Sequence, residues 1–413
     1  CLQSLSFRSM DARRQDIALA HSGTCDWLFE TCAFQCWRDR SRLSQHNGVF
    51  WIKGNPGTGK STLMKHILEH CQHNLEGYTV VSHFFNARGD PSEKTALGML
   101  RSLIYQLITE TAIYERFIHL FREKQQKHGP REWEWRDSEL KRFLRDEIKC
   151  RQSEPHVLLI DALDECSPAH VRDVVGFLED LSIESTRAEG SLNICLSSRH
   201  YPHISMATHQ ELVVEKMAEH NKDISRYIRD KLTKRNAEIE HSMLEKASGI
   251  FMWVVLVVTM LNKAYDEGKV EGMHRKLREV PSDLEEMFKM LLSTENPDKH
   301  ETVLMLQWVL FARRPLKPEE LYYAMLAGTS PDDLGARDWS RITPNDIRRR
   351  ITNSSRGLIE FRQSQYNPLE VTAQFIHESV NDFLLRNQRL QELDSTLGSN
   401  SVGISHERLK GCC

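Results

Sequence analysis

The residues best suited to chemistry begin with the run Gly54, Asn55, Pro56, Gly57, Thr58, Gly59, Lys60, Ser61 and Thr62. Gly54, Gly59, Lys60 and Ser61 fit the spacing G-x-x-x-x-G-K-[ST]. Glycines at this density let successive backbone N–H groups turn inward on a phosphate, and a following helix adds the partial positive charge of its N-terminus. Lys60 is placed to reach the β- and γ-phosphates of a nucleotide, a catalytic as well as a binding role, and Ser61 to ligate Mg²⁺. Such a loop needs an acid from a neighbouring strand to hold the metal. The stretch "LLIDALDE" (158–165) supplies three. Asp161, at the exit of an apolar run, is the expected Mg²⁺ residue, and Asp164 or Glu165 orients or deprotonates an attacking water. The last two also read as a solvated turn that caps the helix after Pro168. Arg199 closes another apolar run, "LNICLSSR" (192–199). A guanidinium there can tell ATP from ADP at the γ-phosphate, or be a surface arginine of a strand-to-helix loop.

These groups must be held at strand ends. Five β-like runs occur: "GVFWIKG" (48–54), "YTVVSHFF" (78–85), "HVLLIDAL" (156–163), "LNICLSSR" and the weaker "ELVVEK" (211–216). Helical segments separate them, around 97–108 and 138–148 among others. Apolar strands alternating with helices argue an α/β fold, a parallel sheet flanked by helices. Such sheets bind ligands at the carboxyl ends of their strands, where all three polar signatures fall. Beyond 217 the β signal fades. Helices are expected at 218–236, 239–264, 281–292 and 300–311, then one started by Pro318 in its first turn. "GLIEFRQSQYNPLEVTAQFIHESVNDFLL" reads as strand, turn at Asn367-Pro368, strand and helix, the outline of a winged helix. The expected organisation is a helical segment at 1–46, in which Thr24 caps a helix through Phe34. A P-loop NTPase core at 47–217, a helical domain at 218–295, a winged helix at 296–390 and a flexible tail at 391–413 follow.

Composition narrows the function classes. The chain has 413 residues, 27% charged and 40% hydrophobic, with a formal net charge of −3. That is ordinary globular composition with no general attraction for nucleic acid, and clusters such as Arg348 to Arg350 read as solvated helix faces. Ten scattered cysteines fit reduced thiols rather than a disulfide scaffold. His21, Cys25, Cys32 and Cys36 have helical spacing and lack the tighter knuckles of a zinc site, so they read as core-facing turns. The most apolar run, 250–261, is too short to span a bilayer, and the N-terminus has no signal-peptide pattern, so the expected location is cytoplasmic. The first residue is Cys1, which reads as a segment of something longer.

In order, "FWIKGNPGTGKSTLMK", "FFNARGD", "LLIDALDEC" and "LSSR" resemble the NACHT class of STAND P-loop ATPases. The likeness is to fungal NLR-like proteins with a nephrocystin-like NACHT module, and it covers nearly the whole chain. Residues 2–29 resemble the segment preceding that module. "GIFMWVVLVVTML", "VPSDLEEMF", "LQWVLFARRPLKPEEL" and "FIHESVNDFLL" resemble its helical and winged-helix parts. The resemblance implies ATP/ADP and Mg²⁺ as cofactors, with Lys60, Ser61 and Thr62 at the phosphates and metal, Asp161 at the metal and Arg199 as sensor. It implies that His377 contacts the β-phosphate of ADP and locks a resting state, although a histidine beside an apolar strand also reads as a core residue. Gly249-Ile250-Phe251 stands where many relatives have a Gly-x-Pro packed on adenine, so that contact is not carried over. The family further implies a slow Mg-dependent ATPase acting as a signalling switch in innate-immunity or heterokaryon-incompatibility signalling. Self-association on activation is implied as well, with effector and repeat domains outside this stretch. The rivals are a turnover ATPase such as a AAA-type remodeller, which would usually carry an acid where Ala162 stands, and a nucleotide-independent scaffold.

Overall fold

The computed structural model describes residues 1–7, 10–87, 89–110, 113–129, 133–150, 154–200, 206–293, 299–330, 342–363 and 371–412. They form two compact units, Cys1–Tyr227 and Ile228–Cys413. The first therefore runs ten residues past the expected boundary at 217, and the expected helical and winged-helix regions fall together in the second.

The first unit is built on five strands: β1 (Val49–Lys53), β2 (Thr79–Phe84), β3 (His156–Asp161), β4 (Leu192–Ser198) and β5 (Gln210–Val213). All pair in parallel, in the order β2-β3-β4-β1-β5. Register aligns their carboxyl ends, with Phe84 beside Asp161 and Lys53 beside both Ser198 and Val213. Near-continuous apolar strands are the mark of a sheet buried on both faces. Val49 and Trp51 of β1, with Leu158 and Ile160 of β3, join one core. Phe50, Ile52, Val157 and Leu159 join the other, where the helix after the phosphate loop, Lys60–Asn74, lies. The edge strand β2 is guarded by Gln106 of helix Ala96–Glu110. Its Oε1 accepts from Ser82 N at 3.0 Å and its Nε2 donates to Ser82 O at 2.8 Å.

The expected single helix through Thr24 and Phe34 is two short ones, Trp27–Glu30 and Cys32–Arg38. Thr31, not Thr24, caps the second by accepting from Phe34 N at 3.2 Å, while Thr24 donates to His21 O.

In the second unit the expected helix over 239–264 is interrupted. Ala237–Ala247 ends at Ser248, which is left-handed, and Gly249 also has positive φ before Phe251–Asp266 begins. Glycine accepts that conformation without penalty. Helices Lys299–Phe311, Pro318–Thr329 and Pro344–Ser354 precede an antiparallel hairpin, Ile359–Gln363 with Val371–Phe375, and Leu316 bridges Ala373. The expected Asn367-Pro368 turn lies outside the described residues. The tail expected to be flexible is largely helical instead. Helix Ser401–Gly411 buries Leu409, and Ser405 accepts from Gln307 Nε2 at 2.8 Å. Among the described residues no helix is long and apolar enough to cross a membrane.

Candidate nucleotide-binding site

The phosphate loop leaves β1 at Gly54 and enters its helix at Lys60. Gly57 and Gly59 take φ of 80° and 93°, which only glycine adopts without strain. At Gly54 the reason is space: a Cβ would meet Glu215 Oε2 at 2.7 Å and Thr58 Oγ1 at 2.9 Å. Thr58 closes the turn by donating to Asn55 O at 3.0 Å. Lys60 folds over the loop, its Nζ donating to the carbonyls of Gly54 and Asn55 at 2.9 and 3.0 Å. Burial lowers its pKa, opposed by Asp164, Asp161 and Glu215 and reinforced by Arg199. The sequence-distant acids and Arg199 are therefore brought to one ammonium group.

Asp161 ends β3 with no exposed surface. Its Oδ1 accepts from Ser197 Oγ at 2.5 Å, whereas Oδ2 is buried without a hydrogen-bond partner. Burial raises its pKa, against the pull of the Ser197 and Ser61 hydroxyls and Arg13, while Asp164 pushes the same way as burial. A buried carboxylate oxygen without a hydrogen-bond partner, on a carboxyl near the Ser61 hydroxyl, fits a divalent cation. Ser61 and Asp161 would hold Mg²⁺, and Lys60 with the loop N–H groups the phosphates. Bound there, the metal would offset phosphate charge.

After β3 the chain turns sharply. Ala162 is left-handed at φ 54°, costly for a non-glycine residue, and Leu163–Glu165 form one 3₁₀ turn. The turn parts two adjacent acids. Asp164 pairs with Arg199, Oδ2 to Nε at 2.9 Å, and its Oδ1 accepts from Arg199 N at 2.9 Å. Glu165 has different partners, accepting from Ala87 N at 3.1 Å and facing Arg13 at 3.7 Å. The two acids are thus not an exposed cap, since their side chains are only 6% and 8% exposed.

Three participants escaped the sequence reading. Glu215, just past β5, accepts from Asn55 N at 3.3 Å and pairs with His200 Nε2 at 2.7 Å. Arg13 comes from the segment preceding the core. The signal for Glu215 was its place at the end of a strand, which no motif marks. Of the cysteine set, Cys25 is buried enough that its thiol is pushed up to about 12. Cys32 is exposed rather than core-facing and lies 3.9 Å from Cys36. Among the described residues no group of three or more His, Cys, Asp or Glu side chains is placed to hold a metal ion by itself.

His377, in the second unit, caps helix Glu378–Leu385, its Nδ1 accepting from Ser379 N at 3.1 Å.

Residues 23–199 match the family described as Nephrocystin 3, N-terminal. The matched stretch covers the phosphate loop, Asp161 and Arg199, whose motif order resembles that of NACHT proteins. In an alignment 382 residues long that covers 87% of it, the chain is 26% identical to the vegetative incompatibility protein HET-E-1 of Podospora anserina, and it spans 26% of that relative's length. A STAND protein with a tetratricopeptide-repeat sensor from Pyrococcus horikoshii is similar at 14% identity and a TM-score of 0.41, over 90% of this chain and 46% of that one. Cdc6p from Pyrobaculum aerophilum gives 12% identity and the same TM-score, over 92% and 98%.

Proposed function

We propose that the chain is an ATP/ADP-dependent signalling switch with slow Mg-dependent ATPase activity. The observation that carries it is the meeting of Lys60, the buried Asp161 Oδ2 and the Asp164–Arg199 pair at the carboxyl end of one sheet. Arg199 already has a carboxylate partner, so a γ-phosphate would compete with Asp164 for it. That competition gives ATP and ADP different effects on the same loop, the requirement for a switch. The helices and hairpin of the second unit support a winged-helix reading. His377 commits Nδ1 to its helix cap, and contact with the β-phosphate of ADP is the role that the resemblance gives it. Opening on ATP, self-association, a role in incompatibility-type signalling and a cytoplasmic location complete the reading. Effector and repeat domains would lie outside this stretch.

Nucleotide extracted from the purified chain should be ADP. His377→Asn should keep the helix cap yet release ADP faster, because asparagine caps well and lacks an imidazole. Equal affinity for ATP and ADP, with no change in oligomeric state on exchange, would remove the switch. Steady turnover well above one per second would favour a working ATPase instead.

A further inference from the structure

The segment before the nephrocystin-like module is pinned on both faces of the sheet. Near its start Leu5 is fully buried in one core. Trp135 Nε1 donates to Ser4 Oγ at 3.0 Å, and Arg101 donates to the carbonyls of Leu5 and Ser6 at 3.0 and 2.8 Å. Twelve residues later Ile17 is buried in the opposite core. Its carbonyl accepts from Lys65 Nζ at 2.7 Å, and Lys65 sits on the phosphate-loop helix with 7% exposure. Between these anchors the short helix Ala12–Asp16 lies against β2, the strand beside β3. A strap fixed at both ends in this way has little freedom to place its side chains elsewhere.

From that strap Arg13 faces Glu165, Nη2 to Oε1 at 3.7 Å, with side chains 18% and 8% exposed. Its charge is also felt by Asp161. Glu165 is held from a second side by Ala87 N. Asp164, one residue earlier, is engaged by Arg199. The two acids that sequence could not separate are therefore sorted by two different arginines.

We propose that Arg13 is a positioning residue that aims Glu165 at the attacking water, so that the strap completes the hydrolytic site. This rests on the nucleotide-site reading above. In the step concerned, ATP and water give ADP and phosphate. The bond from water oxygen to the γ-phosphorus forms, the bond to the β–γ bridging oxygen breaks, and a proton leaves to solvent by way of Glu165. Arg13 fixes the carboxylate that receives the water's hydrogen bond. It does not hold the nucleotide.

The test uses the whole chain and its Arg13→Ala, Arg13→Lys, Glu165→Gln and Arg13→Ala/Glu165→Gln variants. Single-turnover ATP hydrolysis should fall about 10- to 100-fold in Arg13→Ala, the usual cost of a misplaced catalytic group. Affinity for a fluorescent ADP and the melting temperature should stay near those of the unaltered chain. Arg13→Lys should recover part of the rate, and Arg13→Ala should cost nothing further once Glu165 is glutamine. Removing a positive charge from beside Asp161 should also lower the Mg²⁺ concentration for half-saturation of nucleotide binding by about 2- to 5-fold at low salt. That readout needs no turnover. Unchanged hydrolysis in Arg13→Ala, additive losses in the double variant, or a higher Mg²⁺ requirement would each overturn the assignment. If instead the unaltered chain binds no nucleotide, the site reading itself falls and Arg13 with it. If it binds nucleotide and only the Arg13 results fail, the site reading stands.

Discussion

The two ends of the five-stranded sheet use polar residues in opposite ways. At the amino end, Trp37 Nε1 donates to Gly48 O at 2.9 Å and Ile194 O at 3.1 Å. Asn193 Nδ2 donates to Trp37 O at 2.8 Å, while Arg40 reaches Leu192 O, Asn193 Oδ1 and Gly190 O. Every polar side chain in that group donates to backbone carbonyls, and such satisfied bonds are where polar residues add stability. At the carboxyl end Asp161 keeps a buried oxygen without a donor and Lys60 loses solvation. Both conditions disfavour the folded chain by itself and favour it once charge of the right sign arrives. One sheet thus has an end that holds the fold and an end that holds a ligand.

Substitutions at the two ends should separate stability from binding. Trp37→Ala, which empties a fully buried indole site, should cost about 3–5 kcal/mol in denaturant unfolding while nucleotide affinity measured well below the transition is kept. Lys60→Ala should do the reverse, weakening ADP binding about 100-fold by loss of a charge-assisted phosphate contact, with thermal stability held or improved. A Lys60 variant that unfolds, or a Trp37 variant that loses nucleotide in its folded state, would erase the distinction.

Asp161→Asn sharpens the comparison through pH. The folded chain raises the Asp161 pKa, so ionisation opposes folding. The penalty is absent below the unfolded value of about 3.9 and grows as pH rises through the raised folded value. At neutral pH, without nucleotide, the asparagine variant should therefore melt roughly 2–4 °C higher, with the gain vanishing in acid, and it should lose Mg²⁺-dependent nucleotide binding. A variant that melts lower at neutral pH would mean that Asp161 stabilises the fold. The smallest effect is expected for Asn193→Ala, about 0.5–1.5 kcal/mol from loss of one of the two hydrogen bonds to Trp37 O, with nucleotide binding unchanged.

The sheet was legible because a strand buried on both faces is largely apolar, a mark that four of the runs carried and the half-buried β5 run carried only weakly. The phosphate loop and Asp161 were legible for a related reason: glycine and buried carboxylate are poor choices at those positions unless a ligand needs them. Finer placement was not. Whether Asp164 or Glu165 turns toward Arg199 depends on Ala162 adopting φ 54°, which alanine does not announce. Arg13 reaches Glu165 across 152 positions of sequence, as their numbers give, through a strap whose anchors are Leu5 and Ile17. The break at Ser248-Gly249 was masked by helical apolar spacing on both sides. Packing of the last helix through Ser405 and Leu409 was hidden because a polar stretch with few apolar residues reads as solvent-facing.

The Gln106 side chain bears on how copies of this chain can meet. By taking both backbone groups of Ser82, it occupies the spot where a neighbouring molecule would add a sixth strand beside β2. Sheet extension is the easiest uncontrolled route to aggregation for an exposed edge. Assembly of this chain is thereby steered away from β2, and Gln106→Ala should raise light scattering on storage without altering nucleotide affinity. With helix Ala12–Asp16 also lying against β2, this glutamine closes the edge to association by accident.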